Sequence, residues 1–126
     1  MKFKIKLTLF LFLVVIMHGY CQQQEQRLLL GEWTRNESTC QIKITAALDS
    51  GKLELTYFNP KSINIGKAYW LIKGTFLSIY IELRNEDSLG SYFKLNYNKE
   101  RDMLVGEYFQ VDGGDSYSVE FVRTKQ

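Results

Sequence analysis

Two tyrosines, a tryptophan and two amides are the residues of this chain best suited to recognising a small molecule: Tyr57, Asn59, Trp70, Tyr108 and Gln110. Tyr57 shares its parity with Leu53 and Leu55, and Tyr108 and Gln110 share theirs with Leu104 and Gly106. An extended chain sends alternate residues to one face, so both phenols are expected on an apolar interior, with Gly106 leaving room beside them. Aromatic walls carrying a few amides suit a small, largely apolar ligand. The same aromatics would also serve simply to fill a narrow barrel, and both readings stay open at this point. The parity of Trp70 depends on whether Gly66 introduces a bulge upstream of it.

Covalent and acid–base chemistry find little support. His18 is the only histidine and lies in the apolar leader, so the remaining chain has no imidazole. Ser-His-Asp and Cys-His catalysis, and His-ligated metals, are excluded on that ground. Cys40 has no partner for a disulfide once Cys21 is cleaved off or acylated, and a lone cysteine in an alternating strand is a small core residue. Asp112 and Asp115 flank Gly113-Gly114, but two carboxylates fall short of the about 6–8 oxygens that calcium takes. Glycosidase chemistry needs two carboxylates facing one cleft, and interior-facing carboxylates are scarce in this chain. No enzymatic activity, cofactor or metal is expected.

The leader sets the compartment. Lys2, Lys4 and Lys6 precede an apolar run from Leu7 to Met17 that only Thr8 interrupts. That run is too short for a bilayer span of about 20 residues and has the form of a secretory signal. Gly19 and Cys21 are small residues suitably placed for cleavage before Gln22. The alternative is a lipoprotein anchored through an acylated Cys21, against which bulky Tyr20 stands where a small residue is usual. Residues 1–21 are thus read as a signal peptide and residues 22–126 as one domain, periplasmic or extracellular. Three of the sixteen basic residues leave with the leader, so thirteen face fourteen acidic ones and the mature charge is −1. With both signs scattered and no basic stripe, nucleic acid is not an expected partner.

Eight alternating segments would position the candidate site: 29–36, 41–48, 53–57, 63–72, 75–83, 91–97, 103–111 and 116–124. Gly, Asn and Asp punctuate them, and the connections are short, which favours an all-β antiparallel up-and-down meander. Closing such a sheet buries its apolar face and removes its edges. An eight-stranded antiparallel β-barrel is the expected fold. Ile42, Ile44, Ala46 and Leu48 are expected to share its inner face.

Gly31-Glu32-Trp33 on the first strand, with Arg123 near the end of the last, resembles the calycins: lipocalins, fatty-acid-binding proteins and avidin-like barrels. The resemblance implies that Trp33 closes one barrel end and that Arg123 packs over it, a cation–π contact. Tyr57-Phe58-Asn59-Pro60, Ile63-Asn64, Glu82-Leu83-Arg84, Gly90-Ser91 and Leu104-x-Gly106-x-Tyr108-Phe109-Gln110 are similar to a family of small exported bacterial proteins of no assigned biochemical activity. That family commonly carries Tyr-Pro where this chain has Ser88-Leu89. This second resemblance implies a fold and a compartment rather than an activity.

Two functions are carried forward. The first is an exported barrel that binds a small, largely apolar ligand through Tyr57, Asn59, Trp70, Tyr108 and Gln110. The second is an envelope or extracellular protein-binding module, or inhibitor, acting through its surface. Either would be membrane-bound only if Cys21 is lipidated. Protein purified from its own source is expected to begin at Gln22, which intact-mass spectrometry checks; acyl chains on Cys21 would overturn this.

Overall fold

The structure, a computed structural model, describes residues 25–124. The signal peptide and the choice between cleavage before Gln22 and acylation of Cys21 therefore lie outside the described residues. A short 3-10 turn, Glu25–Leu29, leads into nine strands. They are β1 (Gly31–Arg35), β2 (Gln41–Ala47), β3 (Leu53–Phe58), β4 (Ser62–Ile63), β5 (Ile65–Lys73), β6 (Phe76–Leu83), β7 (Tyr92–Asn98), β8 (Met103–Phe109) and β9 (Ser116–Arg123). A second 3-10 turn, Glu86–Ser88, lies between β6 and β7. No helix among the described residues is long and apolar enough to cross a membrane.

The strands form one antiparallel sheet in the order β4-β3-β2-β1-β9-β8-β7-β6-β5, an up-and-down meander curled almost into a closed barrel. The expected architecture holds, with nine strands rather than eight. The extra one arises because the expected strand 63–72 breaks at Asn64: Ser62 and Ile63 turn aside to pair with Phe58 and Tyr57, and the chain then restarts as β5. The first expected strand is also shortened, its leading residues being taken into the 3-10 turn.

Side-chain alternation explains the core. Ile42, Ile44, Ile79, Ile81, Leu95, Leu104 and Phe121 are buried on the inner face, whereas their neighbours Lys43, Thr45 and Glu120 are exposed. Phe93 stands at the centre, edge-on to Phe121 at 5.8 Å between ring centroids. On β2 the alternation fails where the register slips between Ile44 and Ala46. A bulge adds one residue and flips parity, so Ala47 packs on the core and Leu48 is exposed, contrary to the simple pattern. A second slip, between Ile65 and Lys67, places a bulge at Gly66.

The base of the barrel is shut by a small assembly around Trp33 and Arg123. Trp33 is fully buried and donates its indole N–H to the Leu29 carbonyl at 3.0 Å. That bond ties it to the 3-10 turn that plugs the end. The Arg123 guanidinium lies 4.3 Å from the Trp33 ring centre. It also grips the Asp102 carboxylate through Nε (2.7 Å) and Nη2 (3.0 Å). The carbonyls of Leu30 (2.7 Å) and Leu28 (2.8 Å) accept its remaining bonds. Gly31 makes this approach possible: a Cβ there would sit 2.7 Å from Arg123 Nη1, and its φ of +130° is one that side chains rarely tolerate.

Removing the indole leaves a large void beneath the plug, so Trp33→Ala is expected to cost about 3–5 kcal/mol. Arg123→Ala, whose former partners can rehydrate, is expected to cost about 1–2 kcal/mol. Urea unfolding followed by circular dichroism checks both. Arg123 hydrogen bonds, chiefly, hold the Asp102 carboxyl below its ordinary value of 3.8. A depressed folded value means the ion pair stabilises the fold above that pH and is lost as pH falls below it. Asp102→Asn should therefore remove part of the acid sensitivity below about pH 4 and lower stability at neutral pH.

Candidate functional site

At the end opposite Trp33, strand ends and two loops surround a cavity of about 380 Å³. Its floor is aromatic. Tyr57, on the inner face of β3, is buried and meets Phe93 edge-on with 5.3 Å between centroids. Phe93 in turn packs against Tyr108 of β8 at 4.7 Å. Leu83 and Ile63 complete the apolar part. The rim is polar: Arg35 at the end of β1, Asn59, Lys61 and Ser62 from the turn that carries β4, and Asn85, Asp87 and Ser88 from the loop holding the second 3-10 turn.

Hydrogen bonding stiffens this rim. Thr39 Oγ1 donates to Asn59 Oδ1 at 3.3 Å. The Asn64 amide donates to Asn85 Oδ1 at 2.9 Å, tying the β4 turn to the loop after β6. Three side chains here lack a polar or charged partner. The hydroxyl of Ser88 is buried without a hydrogen-bond partner among the described residues. Neither Arg35 nor Lys61 has a carboxylate within ion-pair distance among those residues. A rim that presents unpaired cations over an aromatic floor can hold a molecule with a flat or apolar body and a polar, preferably anionic, head.

Burial, above all, pushes the Tyr57 phenol well above its ordinary value of 10.0, and its hydrogen bond to Cys40 adds to the shift. The hydroxyl donates to Cys40 Sγ at 3.5 Å. Tyr57 therefore remains a neutral donor throughout the physiological range. Among the described residues no three His, Cys, Asp or Glu side chains gather into a metal-binding group.

Three of the five expected site residues meet here: Tyr57, Asn59 and Tyr108. Trp70 does not. It is inward-facing on β5 opposite Ile79, but lies toward the base, where its indole N–H donates to the Leu48 carbonyl at 2.7 Å. Gln110 falls just beyond β8, in the turn where its amide bonds to the Asp115 carbonyl at 2.9 Å, and it does not line the cavity. Gly106 provides no free space either: the β7 backbone occupies it, and a methyl group there would strike the Lys94 carbonyl. The sequence reading missed Arg35, Lys61, Asn85, Asp87, Ser88 and Phe93. Arg35 shares the parity of Trp33 and was legible on that basis. The loop residues carry no periodic signal.

Away from the mouth, the outer face of β5 to β8 carries a row of stacked rings. Tyr69, Tyr80, Tyr92 and Phe109 follow one another at centroid distances of 5.0, 5.3 and 5.2 Å. The facing ring surfaces are spent on one another, and Lys94 Nζ lies 5.6 Å from the Tyr92 ring centre. Burial between its neighbours, with a hydrogen bond to Glu82, pushes the Tyr80 phenol to about 12. Comparison with known proteins finds no matching family model, no matching curated protein and no matching solved structure.

The raised Tyr57 value carries a signed consequence. Its stabilising contribution is whole below about pH 10 and is lost as pH rises further. In a spectrophotometric titration Tyr57 is therefore expected to ionise last, after Tyr80 and Tyr97, whose phenols are also raised, and Tyr57→Phe should remove that last component. The substitution itself should cost less than about 1 kcal/mol, since only a weak bond to sulfur is lost.

Proposed function

We propose that this protein is an exported barrel that binds a small amphipathic molecule at its mouth. The observation that carries this reading is the mouth cavity itself: about 380 Å³, with Phe93 between Tyr57 and Tyr108 beneath Arg35 and Lys61. The volume falls within the range of small-molecule sites, about 300–1,000 Å³. The wall chemistry narrows the expected ligand from largely apolar to amphipathic. Its apolar body lies toward the three rings, and its anionic or hydrogen-bonding head faces the two cations and Asn59. Export rests on the leader, and membrane attachment would require an acylated Cys21.

A second reading, a protein-binding module or inhibitor of the envelope or extracellular space, is supported by the filled interior below the mouth and by the outer row of aromatic rings. On that reading the surface does the work and the mouth is incidental.

Anilinonaphthalene sulfonate, an aromatic body with an anionic head, is a direct probe. Saturable binding at one site is expected, with the Arg35→Ala/Lys61→Ala double variant weakening it roughly tenfold through loss of charge-assisted contacts. Tyr108→Ala should weaken it as well. Binding that ignores both the cations and Tyr108 would sink the mouth reading.

A further inference from the structure

An open cavity of about 790 Å³ lies along the seam where the barrel fails to close. On β3, residues 53–56 have the β2 ladder on one side and no strand ladder on the other. On β5, residues 65–68 have β6 on one side and none on the other. The two edges run antiparallel. They are pinned at the base by the Trp70 amide donating to the Gly51 carbonyl at 2.8 Å and by a bridge between Lys52 and Tyr69. Toward the mouth they are held by β4, which pairs with the end of β3 and leads directly into β5.

We infer that this seam accepts an extended peptide segment of a protein partner. The slot combines two chemistries that few other ligands satisfy together. Leu55, Ile65, Ala68 and Trp70 line it as half-buried apolar side chains. Beside them runs strand-edge backbone, whose N–H and C=O groups seek partners. An extended peptide offers donors and acceptors at the strand repeat and sends alternate side chains down onto the apolar strip, the mode of strand addition. Both register slips of the sheet, on β2 and at Gly66 on β5, lie beside this seam. Bulges there bend the strands and end pairing.

Gly66 fits the same picture. A Cβ at that position would make only ordinary contacts, the nearest Glu82 Oε1 at 3.4 Å, so its own neighbours do not demand a bare backbone. An incoming main chain would use it. Charge selects among peptides. Lys52 and Lys67 line the slot exposed, with no ion-pair partner among the described residues, against Glu54 in the lining and Glu82 beside Gly66. The fitting segment alternates apolar residues with acidic ones.

A labelled, end-capped peptide of about six residues alternating valine and glutamate, long enough to span the open edges, tests this against the full mature protein. Fluorescence anisotropy is expected to show saturable binding, with NMR shifts at Leu55, Ile65, Gly66 and Ala68. N-methylation of alternate peptide amides keeps the side chains but removes backbone donors, and should weaken binding roughly tenfold or more. The Lys52→Gln/Lys67→Gln variant, altered only at exposed positions, should weaken it several-fold, while Arg35→Ala/Lys61→Ala should leave it unchanged. No binding, equal binding of the N-methylated peptide, or shifts confined to the mouth or the outer tyrosine row would overturn the proposal. So would a dimer in sedimentation that the peptide does not dissociate, because a second copy would then own the seam.

Discussion

Arg123 is the point on which the closed end of the barrel depends. One guanidinium stacks on Trp33, grips Asp102 in the β7–β8 turn and holds two carbonyls of the segment entering β1. It thereby joins the last strand, the first strand, a hairpin turn and the 3-10 plug in one contact set. Planarity and a fixed fork of donors are what allow this, and a lysine could not reproduce it. Every neighbour is adapted to the guanidinium. Gly31 clears its path, and Tyr97 donates to the same carboxylate at 2.8 Å.

With that end sealed and the interior occupied by interlocking aliphatic and aromatic side chains, recognition is pushed to the periphery. A nearly closed sheet with a filled core has few places where another molecule could bind: the open end, any gap in the ladder, and the outer surface. All three are present in this molecule. The mouth combines aromatic rings with unpaired cations, the seam combines apolar side chains with strand edges, and the outer face carries a ring stack. The strap of β4 separates mouth from seam, since Ile63 lines the first and Ile65 the second. Two residues of strand therefore divide what would otherwise be one continuous opening.

Parity carried much of the sequence reading. Alternation at Leu53, Leu55 and Tyr57, and at Leu104, Gly106 and Tyr108, placed the two phenols inward because a strand has only two faces and one of them must be dry. The same reasoning stumbled at the β2 bulge: Leu48 emerged exposed because one inserted residue reversed the count. Trp70 was correctly oriented yet misplaced. Parity tells which face a residue takes and says nothing of its height along the barrel, and Trp70 sits near the base beside Leu48. Gln110 failed for a related reason, since the strand ended one residue before it.

The sequence by itself determined the all-β class, the meander order and the inward sets of the strands without a bulge, because these follow from local periodicity and short turns. Only the tertiary structure decided which inward residues meet. The mouth draws Arg35, Tyr57, Asn85 and Tyr108 from four distant stretches of chain, and no local pattern links them. The open seam is likewise a property of the whole sheet. Whether β3 and β5 pair depends on accumulated twist, on two bulges and on the diversion of Ser62–Ile63, terms that sum over every strand before the edges can meet.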